Sequence, residues 1–118
     1  MGVDIHAKLV RDKIPYIIRQ NGEEAHYRKL EYWEYREALK QKLVEEAMEV
    51  AAAKNTLELI KELADLLEVF YALLKAYRFP LRTVEHERRQ RAFDRGAFVA
   101  RIFLLWTGPK EARRRGRR

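Results

Sequence analysis

LKQKLVEEAMEVAAAKNTLELIKELADLLEVFYAL, residues 39–73, decides the fold. Leu39, Leu43, Ala47 and Val50 recur at three- and four-residue spacing, which gathers them on one face of a helix. Leu59, Leu63, Leu66, Phe70 and Leu73 repeat the pattern on a second helix. Between the stripes, Asn55 is followed three residues later by Glu58, the spacing of a capping-box-like helix start. The connection is short, so the two helices are expected to lie antiparallel and to face each other through their stripes.

Outward from this hairpin, the first helix is expected over Tyr32 to Lys54 and the second from Asn55 to about Tyr77. Upstream, Asp12 offers a cap for a short helix from Lys13 to Gln20, with Pro15 in the first turn, where proline is tolerated. Asn21-Gly22 ends it. Downstream, Pro80 suits a first helical position, a third long helix runs to about Arg95, and Gly96 suits its stop. Ala97 to Trp106 is apolar and reads as a strand, a short helix or an arm packed on a partner. The expected architecture is all-α, an antiparallel helical bundle in one domain, 1–109, with a basic tail, 110–118.

Composition bounds the function. With 118 residues and 47% apolar content, one globular domain is expected, small enough to gain from oligomer contacts. The chain has no cysteine, which excludes disulfides, thiolate zinc sites and a cysteine nucleophile. Met1 to Ala7 lacks the apolar run of a signal peptide, and no stretch approaches the roughly 20 apolar residues that span a bilayer. A soluble, cytoplasmic protein is expected, with no membrane partner. Most of the +7 charge lies in the tail, where Lys110, Arg113, Arg114, Arg115, Arg117 and Arg118 stand against Glu111 alone. That distribution suits a solvated tail with weak nonspecific nucleic-acid contact rather than a dedicated nucleic-acid face.

The acids carry the chemistry. Glu46 and Glu49 lie three and six residues after Leu43, and Glu62 and Asp65 lie three and six after Leu59. At roughly 100° per residue, both pairs flank their stripe at the same angular offset. Facing antiparallel helices keep equal offsets on the same side, and both pairs are about equally far from Asn55. Four carboxylates are therefore expected to converge beside the seam. Four anions so placed repel one another, and a hard divalent cation with a preference for oxygen ligands relieves that repulsion. Glu45 points toward a different face. His6, His26 and His86 are scattered, with no metal-ligand spacing.

Glu45-Glu46-Ala47-Met48-Glu49 followed by Glu62-Leu63-Ala64-Asp65 resembles the Glu-Glu-x-x-Glu and Glu-x-x-Asp pattern of the MazG-like all-alpha nucleotide pyrophosphohydrolase superfamily. The opening Lys8-Leu9-Val10-Arg11-Asp12-Lys13-Ile14-Pro15 and the later Arg95-Gly96-Ala97-Phe98 resemble its phosphoribosyl-ATP pyrophosphohydrolase-like subgroup, with Ala97 where that subgroup has a second glycine. The resemblance implies a MazG-like fold completed in a homodimer or homotetramer. It also implies magnesium-dependent hydrolysis between the alpha and beta phosphates; manganese shares magnesium's preference for oxygen ligands and is the alternative ion. The metal ligands it implies are Glu46, Glu49, Glu62 and Asp65, with Glu45 as a fifth acid.

On that reading Glu46 or Glu49 acts as the catalytic carboxylate that orients or deprotonates water. Lys8, Arg11 and Lys13, and then Arg91 and Arg95 one turn apart, are the substrate-binding candidates for the phosphates. Tyr32, Trp33 and Tyr35 are expected to pack a helix start or a subunit contact. The leading expectation is an enzyme releasing a nucleoside monophosphate and pyrophosphate in the house-cleaning of non-canonical nucleotides. The alternatives are a phosphoribosyl-ATP pyrophosphohydrolase of histidine biosynthesis and a nonenzymatic helical adaptor or nucleic-acid binder.

Overall fold

The structure, a computed structural model, describes residues 2–4 and 6–110. Among these residues it is all-α, with four helices and no strand: α1 (Ile14–Gln20), α2 (Tyr32–Ala52), α3 (Thr56–Tyr77) and α4 (Leu81–Arg95). The expected basic tail lies outside the described residues except for Lys110. The chain divides into two compact units, Met1–Thr83 and Val84–Arg118.

The α2–α3 hairpin is the centre of the first unit. Its turn is built by reciprocal capping: the Asn55 carboxamide oxygen accepts from the Glu58 N–H at 2.9 Å, and the Glu58 carboxylate accepts from the Lys54 N–H at 2.8 Å. These bonds commit Lys54 to the start of α3, and so α2 stops at Ala52 rather than at the expected Lys54. The opposite end of α2 opens with Glu31 as its N-cap residue, whose N–H donates to the Glu34 carboxylate at 3.0 Å. At the end of α3, Arg78 adopts the left-handed conformation (φ 59°), and the Phe79 N–H reaches the Leu74 carbonyl at 2.8 Å.

Local signals place α1 and α4 to within a residue. Lys13, not Asp12, holds the N-cap position of α1, and no side chain caps it. Proline in the first turn makes that tolerable, because its missing N–H is one fewer orphan donor. Gly22 (φ 85°) ends α1 and Gly96 (φ 86°) follows α4, conformations that favour glycine. Pro80 falls just before Leu81, the first residue of α4.

The core lies at the open end of the hairpin, away from the turn. Leu39, Val69 and Ala76 are buried there, and Leu9, Tyr35, Leu43, Ala72 and Leu73 pack against them half-buried. Leu9 brings the segment before α1 onto the hairpin. Toward the turn the expected stripes are only partly covered: Ala47, Leu59 and Leu63 are exposed, Val50 is half-buried, and Met48 beside the α2 stripe is exposed as well. Two helices cover only a narrow seam between them, and the apolar surface of α3 is wider than that seam. Leu57, Ile60, Leu67 and Tyr71 continue this exposed apolar face along α3.

In the second unit, Ala97 to Trp106 forms neither strand nor helix; Phe98, Val99, Ile102, Phe103, Leu104 and Leu105 are all exposed. No described helix is long and apolar enough to cross a membrane.

Candidate metal centre

The hairpin register sets the height of the acids. Near the open end, the Arg36 Nε–H donates to the Ala76 carbonyl at 3.0 Å. Ten residues on from Arg36 is Glu46, and ten back from Ala76 is Leu66, the neighbour of Asp65. Glu46 and Asp65 therefore come level, with Glu49 and Glu62 one turn nearer the connection.

One carboxylate oxygen from each of Glu46, Glu62 and Asp65 lies within 4.8 Å of the others, and all three side chains are half-buried. Three of the four expected acids thus meet. Glu49 is exposed and stands outside that group, yet close enough to act on it. Partial burial, and then the negative charges of Asp65, Glu49, Glu46 and Glu58, push the Glu62 carboxyl upward from its ordinary value. The donor set is entirely carboxylate oxygen, and its like-charge repulsion is only partly offset by neighbouring cations, which fits a hard divalent cation.

Cations border the group on one side. Arg11, from the segment before α1, donates to the Asp65 Oδ1 at 2.7 Å. Lys42, one turn before Glu46 on α2, lies 3.3 Å from Glu45 and 3.7 Å from Glu46. Lys8 lies 3.7 Å from Glu45. Glu45 is thereby bracketed by two cations and stands apart from the three-acid group, in keeping with its different helical phase. Among the described residues, neither Glu49 nor Glu62 has a salt-bridge partner, so the charge is unevenly offset: neutralised toward Lys8, Arg11 and Lys42, unneutralised toward Glu49 and Glu62.

Lys13 is exposed at the start of α1 and joins none of these pairs. Arg91 and Arg95 are exposed on α4 in the second unit, with Arg95 in its last turn. Lys42 is the neighbour that sequence reasoning missed. Its position three and four residues before Glu45 and Glu46 is the ordinary spacing of helical ion pairs and was available in the sequence.

An α-helical hairpin whose facing helices bring three carboxylates together, with cations alongside, belongs to the class of helical proteins that build their sites from side chains on facing helices. The phosphoribosyl-ATP pyrophosphohydrolase family model matches residues 17–92, and the chain belongs to that family. Its function is of the pyrophosphohydrolase kind, a hydrolase, and its substrate is of the nucleotide class. The match includes Glu45, Glu46, Glu49, Glu62 and Asp65 and leaves Lys8, Arg11 and Lys13 outside it. No curated protein and no solved structure matches the chain.

Proposed function

We propose that the chain is a magnesium-dependent nucleotide pyrophosphohydrolase, served also by manganese, that cuts a nucleoside triphosphate into a monophosphate and pyrophosphate and clears non-canonical nucleotides in the cytoplasm. The observation that carries this reading is the three-acid group of Glu46, Glu62 and Asp65 with Arg11 beside it.

Glu46, Glu62 and Asp65 would hold the ion, and a rotation of Glu49 would complete the set. A divalent ion supplies charge neutralisation at the phosphate oxygens and makes water a better nucleophile. Glu46 or Glu49 would orient the attacking water and take its proton; Glu49 is exposed and, among the described residues, has no cation partner, which supports it in that role. The water oxygen bonds to the alpha phosphorus, the bridging bond to the beta phosphate breaks, and pyrophosphate leaves with the electron pair. Lys8 and Arg11 would hold the phosphate chain, with Lys13 as a further contact. The exposed apolar face of α3 supports a homodimer or homotetramer as the working form.

A second reading, phosphoribosyl-ATP as the substrate, is favoured by the description of the matching family. The reaction is the same on that molecule, because it also carries a triphosphate chain. Product analysis tests both. Nucleoside triphosphates with ordinary and altered bases, and phosphoribosyl-ATP, are incubated with the protein in magnesium or in chelator. Monophosphate plus pyrophosphate, in magnesium alone, supports the reaction, and the fastest substrate identifies the reading. Folded protein that turns over none of them, yet binds nucleic acid with a steep salt dependence, points instead to the adaptor.

A further inference from the structure

Arg11 is the one cation, among the described residues, at hydrogen-bond distance from a member of the three-acid group. Lys8 sits on Glu45, outside the group, and Lys42 reaches Glu46 only at 3.7 Å. We propose that Arg11 is an exchanged counter-ion: it holds Asp65 until a divalent cation binds, and its release from Asp65 lets it take a substrate phosphate. The consequence is an order of binding, metal before phosphate chain. The inference rests on the metal-site reading above and adds a role to Arg11 within it.

Three features of the molecule support the exchange. First, the contact is easily given up: a single Nη2–Oδ1 bond between side chains that are 58% and 42% exposed. Exposed ion pairs of this kind are weakly held. Second, the backbone beside it is anchored. Leu9, two residues away, packs against the hairpin core, so a freed guanidinium stays beside the acids instead of leaving with its segment. Third, the two cations compete. Asp65 presents one oxygen to Arg11, and a monovalent charge a few ångströms from a divalent one opposes its binding. A guanidinium also suits both successive partners, because its planar donors match carboxylate and phosphate oxygens alike.

Arg11 therefore acts against the metal in the resting protein and with the substrate afterwards. A residue that merely oriented Asp65 as a ligand would have the opposite sign, since its removal would weaken metal binding.

The experiment is calorimetric titration of the full chain with Mn2+ alone, and then with inorganic pyrophosphate, for the wild type, Arg11→Gln and Lys8→Gln. Circular dichroism checks that each variant is folded. Arg11→Gln is expected to bind Mn2+ about three- to tenfold more tightly than the wild type, from the lost competition and repulsion. Lys8→Gln, altered outside the three-acid group, is expected to keep its Mn2+ affinity within about twofold while weakening pyrophosphate binding. Wild-type protein is expected to bind pyrophosphate only after Mn2+, and Arg11→Gln to bind it about tenfold more weakly in the presence of Mn2+. Arg11→Gln that binds Mn2+ no more tightly, or more weakly, overturns the exchange while leaving the metal site standing. Wild-type protein that binds no Mn2+ overturns the metal-site reading and the exchange with it. A guanidinium 15N signal of Arg11 that stays ion-paired on saturation with Mg2+ also overturns the exchange.

Discussion

Arg36 on α2 and Ala76 on α3 are 40 residues apart in sequence and joined by a 3.0 Å bond from the guanidinium Nε to the backbone carbonyl. Ala76 belongs to the last turn of α3, whose carbonyls have no partner within the helix, so the bond satisfies an orphan acceptor. The guanidinium also lies over the Tyr77 ring at 4.8 Å from its centroid, and over the Tyr32 ring at 5.8 Å. Together these contacts fasten the open end of the hairpin and hold the register in which Glu46 stands level with Asp65. Arg36→Met is expected to lower the unfolding free energy by about 1.5–3 kcal/mol, the range for a hydrogen bond to a charged group. Urea denaturation measures it; an unchanged midpoint would mean that the apolar seam alone sets the register.

Glu62 illustrates the cost of assembling the acid group. Its carboxyl is pushed upward by partial burial and by Asp65, Glu49, Glu46 and Glu58, and no cation pairs with it among the described residues. Removing its charge relieves that repulsion. Glu62→Gln is therefore expected to melt at a higher temperature than the wild type in chelator, and to lose the further rise that Mg2+ gives the wild type. Thermal melts in chelator and in Mg2+ separate the two effects. A variant that melts lower in chelator and keeps the Mg2+ response contradicts the assignment.

The start of α2 carries a separate pH dependence. The Arg28 guanidinium hydrogen-bonds the Glu34 carboxylate at 2.8 Å and, together with the Glu31 N–H and the Arg28 charge, lowers it from 4.5 to about 2. A depressed carboxylate stabilises the fold when the pH is above its unfolded value, and that contribution is lost as the pH falls through the folded value. The stability difference between the wild type and Arg28→Ala is thus expected to be full above pH 4.5 and to shrink toward pH 2. Denaturation curves across that window measure the difference. A gap that persists unchanged at the acid end would assign it to packing of Arg28 instead.

The apolar face of α3 predicts assembly. Leu57, Ile60 and Leu67 are 63%, 59% and 46% exposed on one chain, an arrangement that a second copy would cover. Light scattering is expected to give a mass of at least twice the 14.1 kDa chain for the wild type, and a single-chain mass for Ile60→Glu. A monomeric wild type at micromolar concentration contradicts this assignment of the face.

The hairpin was legible in the sequence because its signals are local. The apolar period runs along each helix, and Asn55 with Glu58 marks the turn. The meeting of Glu46, Glu62 and Asp65 followed from the same facts, since a short turn fixes which residues come level. Glu49 did not follow, because helical phase gives the direction of a Cα–Cβ bond and leaves the rotamer of a long side chain open. The placement of Leu9 and Arg11 on the hairpin was beyond local reading: both contacts join residues far apart in the chain, and periodicity carries no such information. The stripe near Leu59 and Leu63 was read as buried because a pattern shows which face is apolar but not what covers it.

The most direct test of the central claim is pyrophosphate release from nucleoside triphosphates and phosphoribosyl-ATP in Mg2+, compared between the wild type and Glu46→Gln. Glu46 is the α2 member of the three-acid group. The account predicts steady release by the wild type, abolished by chelator, and at least about a hundredfold slower release by the variant at unchanged fold. Equal release by the two proteins, or release indifferent to chelator, would contradict it.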